Sequence, residues 1–130
     1  MELRQMNIEG NMNVAAGCKW VARILAAILF LFWGAFFVEH LGEWFLQSEQ
    51  GFPPVSVWIG QALHFVILLG LGMMLNWDRL GSLVTIVGTV AFFSAIGYRG
   101  FPFIALLNLL PIGLFGVYWY LGPKAANVAQ

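Results

Sequence analysis

Four stretches of this chain are long and apolar enough to cross a lipid bilayer, and three of them contain no Asp, Glu, Lys or Arg. They cover about residues 21–44, 55–77, 80–98 and 102–121. Crossing the hydrocarbon core takes about 20 mostly apolar residues as a helix. A helix also satisfies its own backbone hydrogen bonds where no water is present. The short alternating strands of a membrane barrel are absent from the pattern. The expected fold is therefore all-α: an integral membrane, antiparallel four-helix bundle over residues 20–122. A polar N-terminal segment (1–19) precedes it and a short tail (123–130) follows, with Met1–Asn13 and Lys124–Gln130 expected to be loosely ordered.

Composition supports that class. Only 9% of the 130 residues are charged and 61% are hydrophobic, whereas soluble domains carry about 25% charged residues. The net charge of +0 provides no basic surface for nucleic acid. A single cysteine, Cys18, excludes an intramolecular disulfide and a cysteine metal cluster. Val14-Ala15-Ala16-Gly17-Cys18 has the look of a lipoprotein cleavage site, but a polar segment precedes it where an apolar one is required. The first span likewise reads as an uncleaved anchor, because no small-x-small site follows it.

The connections set the order of the helices. Pro53 and Pro54 suit the start of the second span. Asn76-Trp77-Asp78-Arg79 is so short that spans two and three must be antiparallel neighbours, with Asp78 a candidate N-cap. Gly100 is placed to stop the third span and Pro102 to open the fourth. An even number of spans leaves both termini on one side, together with Arg4, Lys19, Arg23, Arg79 and Lys124. The other side holds Arg99 with Glu39, Glu43 and Glu49. The bias of positive charge places both termini in the cytoplasm, N-in and C-in. Trp20, Trp44, Trp58, Trp77, Tyr98, Tyr118, Trp119 and Tyr120 fall at span ends, as an interfacial belt does. Trp33 breaks this pattern and is expected to lie deep.

Lipid removes the hydrophobic drive between helices, so close contacts depend on small residues. Gly81, Thr85 and Gly88 form such a stripe on the third span, and Gly116 belongs to another on the fourth. Pro111 should kink the fourth span.

Polar groups inside spans are costly and mark candidate sites. Counting about 1.5 Å of rise per residue puts His64 roughly 14 Å from its span's end, and Gln61 and Asn108 roughly 9 Å. Glu39 comes out roughly 7 to 8 Å deep. All fall in the outer half. The expected site is thus an outer polar pocket of Glu39, Gln61, His64 and Asn108, with Arg99 at its mouth as a counter-ion. The plainer reading is that these groups hydrogen-bond one another between helices and set register.

Glu39, Glu43 and His64 are candidate ligands for Zn, Mn or Fe. Carboxylate-bridged metal bundles use repeated Glu-x-x-His pairs, whereas Glu39-His40-x-x-Glu43 occurs once and in the reverse order. A bis-histidine haem would need His40 and His64 at one depth, yet their depths along the helices differ by roughly 8 Å. No Ser-His-Asp set, phosphate-binding glycine loop or His-Glu-x-x-His motif is present.

Arg23-Ile24-Leu25, Glu39-His40-x-x-Glu43, His64, Trp77-x-x-x-Gly81 and Phe101-Pro102 together resemble small, uncharacterised bacterial four-span membrane proteins, DoxX-like in size and topology. The resemblance covers Trp20 to Leu121 and implies a membrane role, in some members alongside quinone-dependent redox complexes. The function expected is that of a non-catalytic accessory subunit or assembly factor of a larger membrane complex, or of a homo-oligomer, with no resident cofactor. The alternative is a binding or transport protein that takes a quinone, a metal or a polar solute in the outer pocket. A small redox enzyme is a third reading, and it would require a bound chromophore.

Overall fold

The computed structural model describes residues 2–46, 51–97 and 102–128. It contains α1 (Glu2–Leu41), extended by a π-helical segment (Gly42–Leu46), then α2 (Val55–Met73), α3 (Asp78–Ile96) and α4 (Pro102–Val128). No strand occurs among the described residues. Stretches Met6–Leu46, Val55–Met73, Asp78–Ile96 and Pro102–Gly122 are long and apolar enough to span a membrane. The all-helical, four-span expectation therefore stands.

The boundaries differ from the sequence reading at several points. α1 reaches back to Glu2, so the N-terminal segment expected to be loose is helical. Extending an existing helix is far cheaper than nucleating one, and residues 2–13 contain no proline to stop it. The polar tail is also helical as far as Val128. α2 ends at Met73, not Trp77, in a tight turn with hydrogen bonds from Asn76 N to Met73 O (3.1 Å) and from Trp77 N to Met73 O (2.7 Å). Asp78 is the first residue of α3 and not its cap. Its carboxylate accepts from Arg79 N at 3.1 Å, close to the positive helix end. α3 closes on Gly97, whose φ of 93° is accessible to glycine without a Cβ clash. Gly100, expected to close it, lies outside the described residues, as do Tyr98 and Arg99. α4 opens on Pro102 as expected and continues through Pro111 as one helix.

The chain divides into two compact units. One comprises residues 26–109, the other residues 1–25 with 110–130. In the first, α2 and α3 form an antiparallel hairpin held by glycines. A Cβ on Gly81 would strike the Met74 backbone, and one on Gly70 would strike Thr85. A Cβ on Gly88 would come within 3.1 Å of the Ile67 nitrogen. The partners step from Met74 to Gly70 to Ile67 as α3 steps from Gly81 to Thr85 to Gly88. This is the register of two antiparallel helices in backbone contact. Close approach supplies dispersion contacts where lipid supplies no hydrophobic gain.

In the second unit, Ala15, Ala22 and Phe115 are buried. Phe115 stacks on Trp119 at 6.0 Å between centroids. Gly116, expected to pack a helix, faces open space: a Cβ there meets nothing within 4 Å.

Candidate functional site

Trp33 organises the polar groups of the 26–109 unit. It stands on α1 and is 7% exposed. A buried indole N–H needs an acceptor, and Trp33 Nε1 donates to Asn108 Oδ1 at 2.7 Å. Asn108, fully buried on α4, donates from Nδ2 to Thr89 Oγ1 of α3 at 3.3 Å. The Trp33 backbone carbonyl accepts from His64 Nε2 at 3.0 Å. A carbonyl can only accept, so Nε2 carries the hydrogen and Nδ1 of the neutral ring is an acceptor. One residue thus ties α1 to α2 through its main chain and to α4 through its side chain.

Aromatic rings hold His64 in place. Trp33 meets it edge-on at 5.0 Å and Phe37 edge-on at 5.4 Å, and Phe92 lies tilted against it at 5.6 Å. Beside it lies a cleft of about 330 Å³ between α1, α2 and α3. The α1 side contributes Trp33, Phe36, His40 and Trp44, α2 contributes Gly60, Gln61 and His64, and α3 contributes Phe92. A second space of about 230 Å³ shares Trp33, Phe36, His40 and Phe92 and is otherwise apolar. Gln61 Nε2 is buried and has no hydrogen-bond partner among the described residues. A Cβ on Gly60 meets nothing within 4 Å. His40 Nδ1 donates to the Phe36 carbonyl at 2.9 Å, one turn back on α1.

The structure brings together only part of the expected pocket. Gln61 and His64 line the cleft. Asn108 belongs instead to the hydrogen-bond chain with Trp33 and Thr89 and does not line it. Glu39 and Glu43 are exposed and are not among the lining residues. Arg99 lies outside the described residues. Glu39, Glu43 and His64 are not gathered as metal ligands: no group of three such side chains forms among the described residues. His40 and His64 line one cleft despite their different depths along their helices.

Sequence reasoning missed Phe37 and Phe92 as site residues, weighed His40 only as a haem ligand and not as part of the pocket, and missed Trp33 as the hub. Trp33 did carry a signal. It is a tryptophan away from any span end, and such a residue must bury its N–H against an acceptor. Asn108 was the obvious candidate at mid-span on another helix.

An aromatic, mostly apolar cleft with two or three placed polar groups is what a small-molecule site requires, and 330 Å³ lies near the lower end of the usual range of about 300–1,000 Å³. The chain matches no protein-family model, no curated protein and no solved structure.

Proposed function

We propose that this multi-span membrane protein binds a lipid-soluble ring compound bearing oxygen atoms, such as a quinone or quinol headgroup, in the cleft beside His64. The observation that carries this reading is Gln61. Its amide nitrogen is buried in the wall of an aromatic cleft and has no partner among the described residues. A buried donor without an acceptor costs about 1–3 kcal/mol, and a ring carbonyl entering the cleft would remove that cost. His64 Nδ1 would accept from a hydroxyl on the same ring, and Phe36, Trp44 and Phe92 would cover its faces. The amide and imidazole favour an uncharged ligand with both acceptor and donor oxygens.

The test is to titrate the purified protein in detergent with a short-chain ubiquinone and follow quenching of tryptophan fluorescence, which Trp33 and Trp44 report from the cleft itself. Saturable quenching is expected. Gln61→Leu should weaken it by about tenfold, and His64→Leu should do the same for the corresponding quinol, whose hydroxyl supplies the hydrogen that Nδ1 accepts. Non-saturable quenching, or an unchanged Kd in Gln61→Leu, would end this reading.

The accessory-subunit reading retains one support. Within the 26–109 unit, Ile28, Leu31 and Val38 form an exposed apolar stripe along α1, which lipid or a partner's helix would cover. Stoichiometric co-purification of larger subunits from native membranes would favour it. For either reading we place both termini on the cytoplasmic side, on the bias of Lys and Arg, and the membrane as a bacterial inner membrane, as the four-span resemblance implies.

A further inference from the structure

We infer that Lys19, Arg23 and Tyr118 form a binding site for the phosphate of an anionic phospholipid. The three residues lie within the unit of residues 1–25 and 110–130. Lys19 and Arg23 are one helical turn apart on α1 and so share a face. Lys19 Nζ donates to the Tyr118 hydroxyl of α4 at 3.4 Å and stands 4.8 Å from the centre of its ring. Having accepted that bond, the hydroxyl still has its own hydrogen to donate. Arg23 Nε is buried and has no hydrogen-bond partner among the described residues. Its guanidinium stands 5.8 Å from the Trp20 ring.

The cluster therefore offers three kinds of donor, carries two positive charges and contains no carboxylate. Two cations a turn apart repel, and a buried N–H without an acceptor is costly. An anion between them relieves both. Among the described side chains of this unit the one carboxylate is that of Glu9, ten residues before Lys19 on α1 and about 15 Å away along the helix.

The source of the anion follows from the setting. Trp20, Trp119 and Tyr120 lie beside the cluster's residues in sequence, and Tyr118 belongs to it. Such rings settle at the headgroup level of a bilayer, and Lys and Arg extend toward the same level. The anion concentrated at that depth is the lipid phosphodiester. A zwitterionic lipid would bring a third cation to a site that already holds two, so an anionic headgroup is selected.

The experiment is native mass spectrometry of the full-length protein with phosphatidylglycerol and phosphatidylcholine of matched chains. Phosphatidylglycerol should be retained over phosphatidylcholine. Lys19→Gln and Arg23→Gln should each reduce that retention about fivefold, as expected for one basic residue near an anionic surface. Lys19→Arg should preserve it, Tyr118→Phe should weaken it measurably, and Arg79→Gln should leave it unchanged. Equal retention of the two lipids by the wild type overturns the inference, and that comparison stands even if a variant fails to fold. Unchanged retention in a folded Lys19→Gln, Arg23→Gln double variant overturns it as well. Displacement of the lipid by millimolar inorganic phosphate would make the ligand a soluble anion and overturn the lipid assignment.

Discussion

At the scale of single residues, the polar groups inside the spans fall into two kinds. Those of the Trp33–Asn108–Thr89 chain are satisfied by one another. Gln61, in the cleft wall, is not satisfied among the described residues. The first kind sets register, and its energy is modest because a helix free in the bilayer also finds partners; such bonds average about 0.6 kcal/mol and reach about 1.7. A double-mutant cycle of Trp33→Phe and Asn108→Leu, read by denaturation in mixed micelles, should give a coupling of about 1 kcal/mol. A coupling indistinguishable from zero would show that the 2.7 Å contact contributes geometry and no net stability. His64 and Gln61 were legible as mid-span polar residues. Glu39 was misplaced by the same depth count, because distance along a helix says nothing about which way a side chain faces. Glu39 is exposed, while the next residue, His40, lines the cleft.

At the scale of elements, the α2–α3 hairpin is the best specified part of the chain. Its turn is too short for any arrangement but antiparallel, and glycine recurs at the spacing needed for backbone contact. Gly70→Ala and Gly81→Ala should each destabilise the protein by about 1–3 kcal/mol through overpacking. Their new Cβ atoms would meet backbone, which cannot move aside as a flexible side chain can. Gly113→Ala and Gly116→Ala should be neutral or slightly stabilising, because nothing lies within 4 Å and alanine favours the helix. Unfolding curves of the four variants would check both halves of this statement. Gly81, Thr85 and Gly88 were readable as a contact stripe from spacing. Gly70 was not, because its role depends on the residue it meets across the hairpin. Gly116 failed as a contact for the same reason: a small residue permits a close approach but does not cause one.

At the scale of the whole molecule, four apolar helices make this a chain for a bilayer, and the orientation proposed for it from the distribution of Lys and Arg can be tested directly. Cys18, the single cysteine, provides a direct probe. A membrane-impermeant maleimide should label it in inverted vesicles and not in intact spheroplasts. Ser48→Cys in a Cys18→Ser background should show the reverse. Labelling of Cys18 from the outside would invert the topology.

The sequence by itself determined the class, the number of spans and the antiparallel pairing of α2 with α3, because each depends on local quantities: the length of an apolar run, the shortness of a turn and the spacing of glycines. Tertiary structure decided which polar groups belong together. It joined His64 to the Trp33 main chain, set Asn108 on the indole nitrogen, turned Glu39 outward and left Gln61 facing an aromatic cleft. Those outcomes depend on the rotation of each helix about its own axis. That rotation is set by the fit of neighbouring surfaces, and an apolar span with few charged residues does not encode it in any one segment.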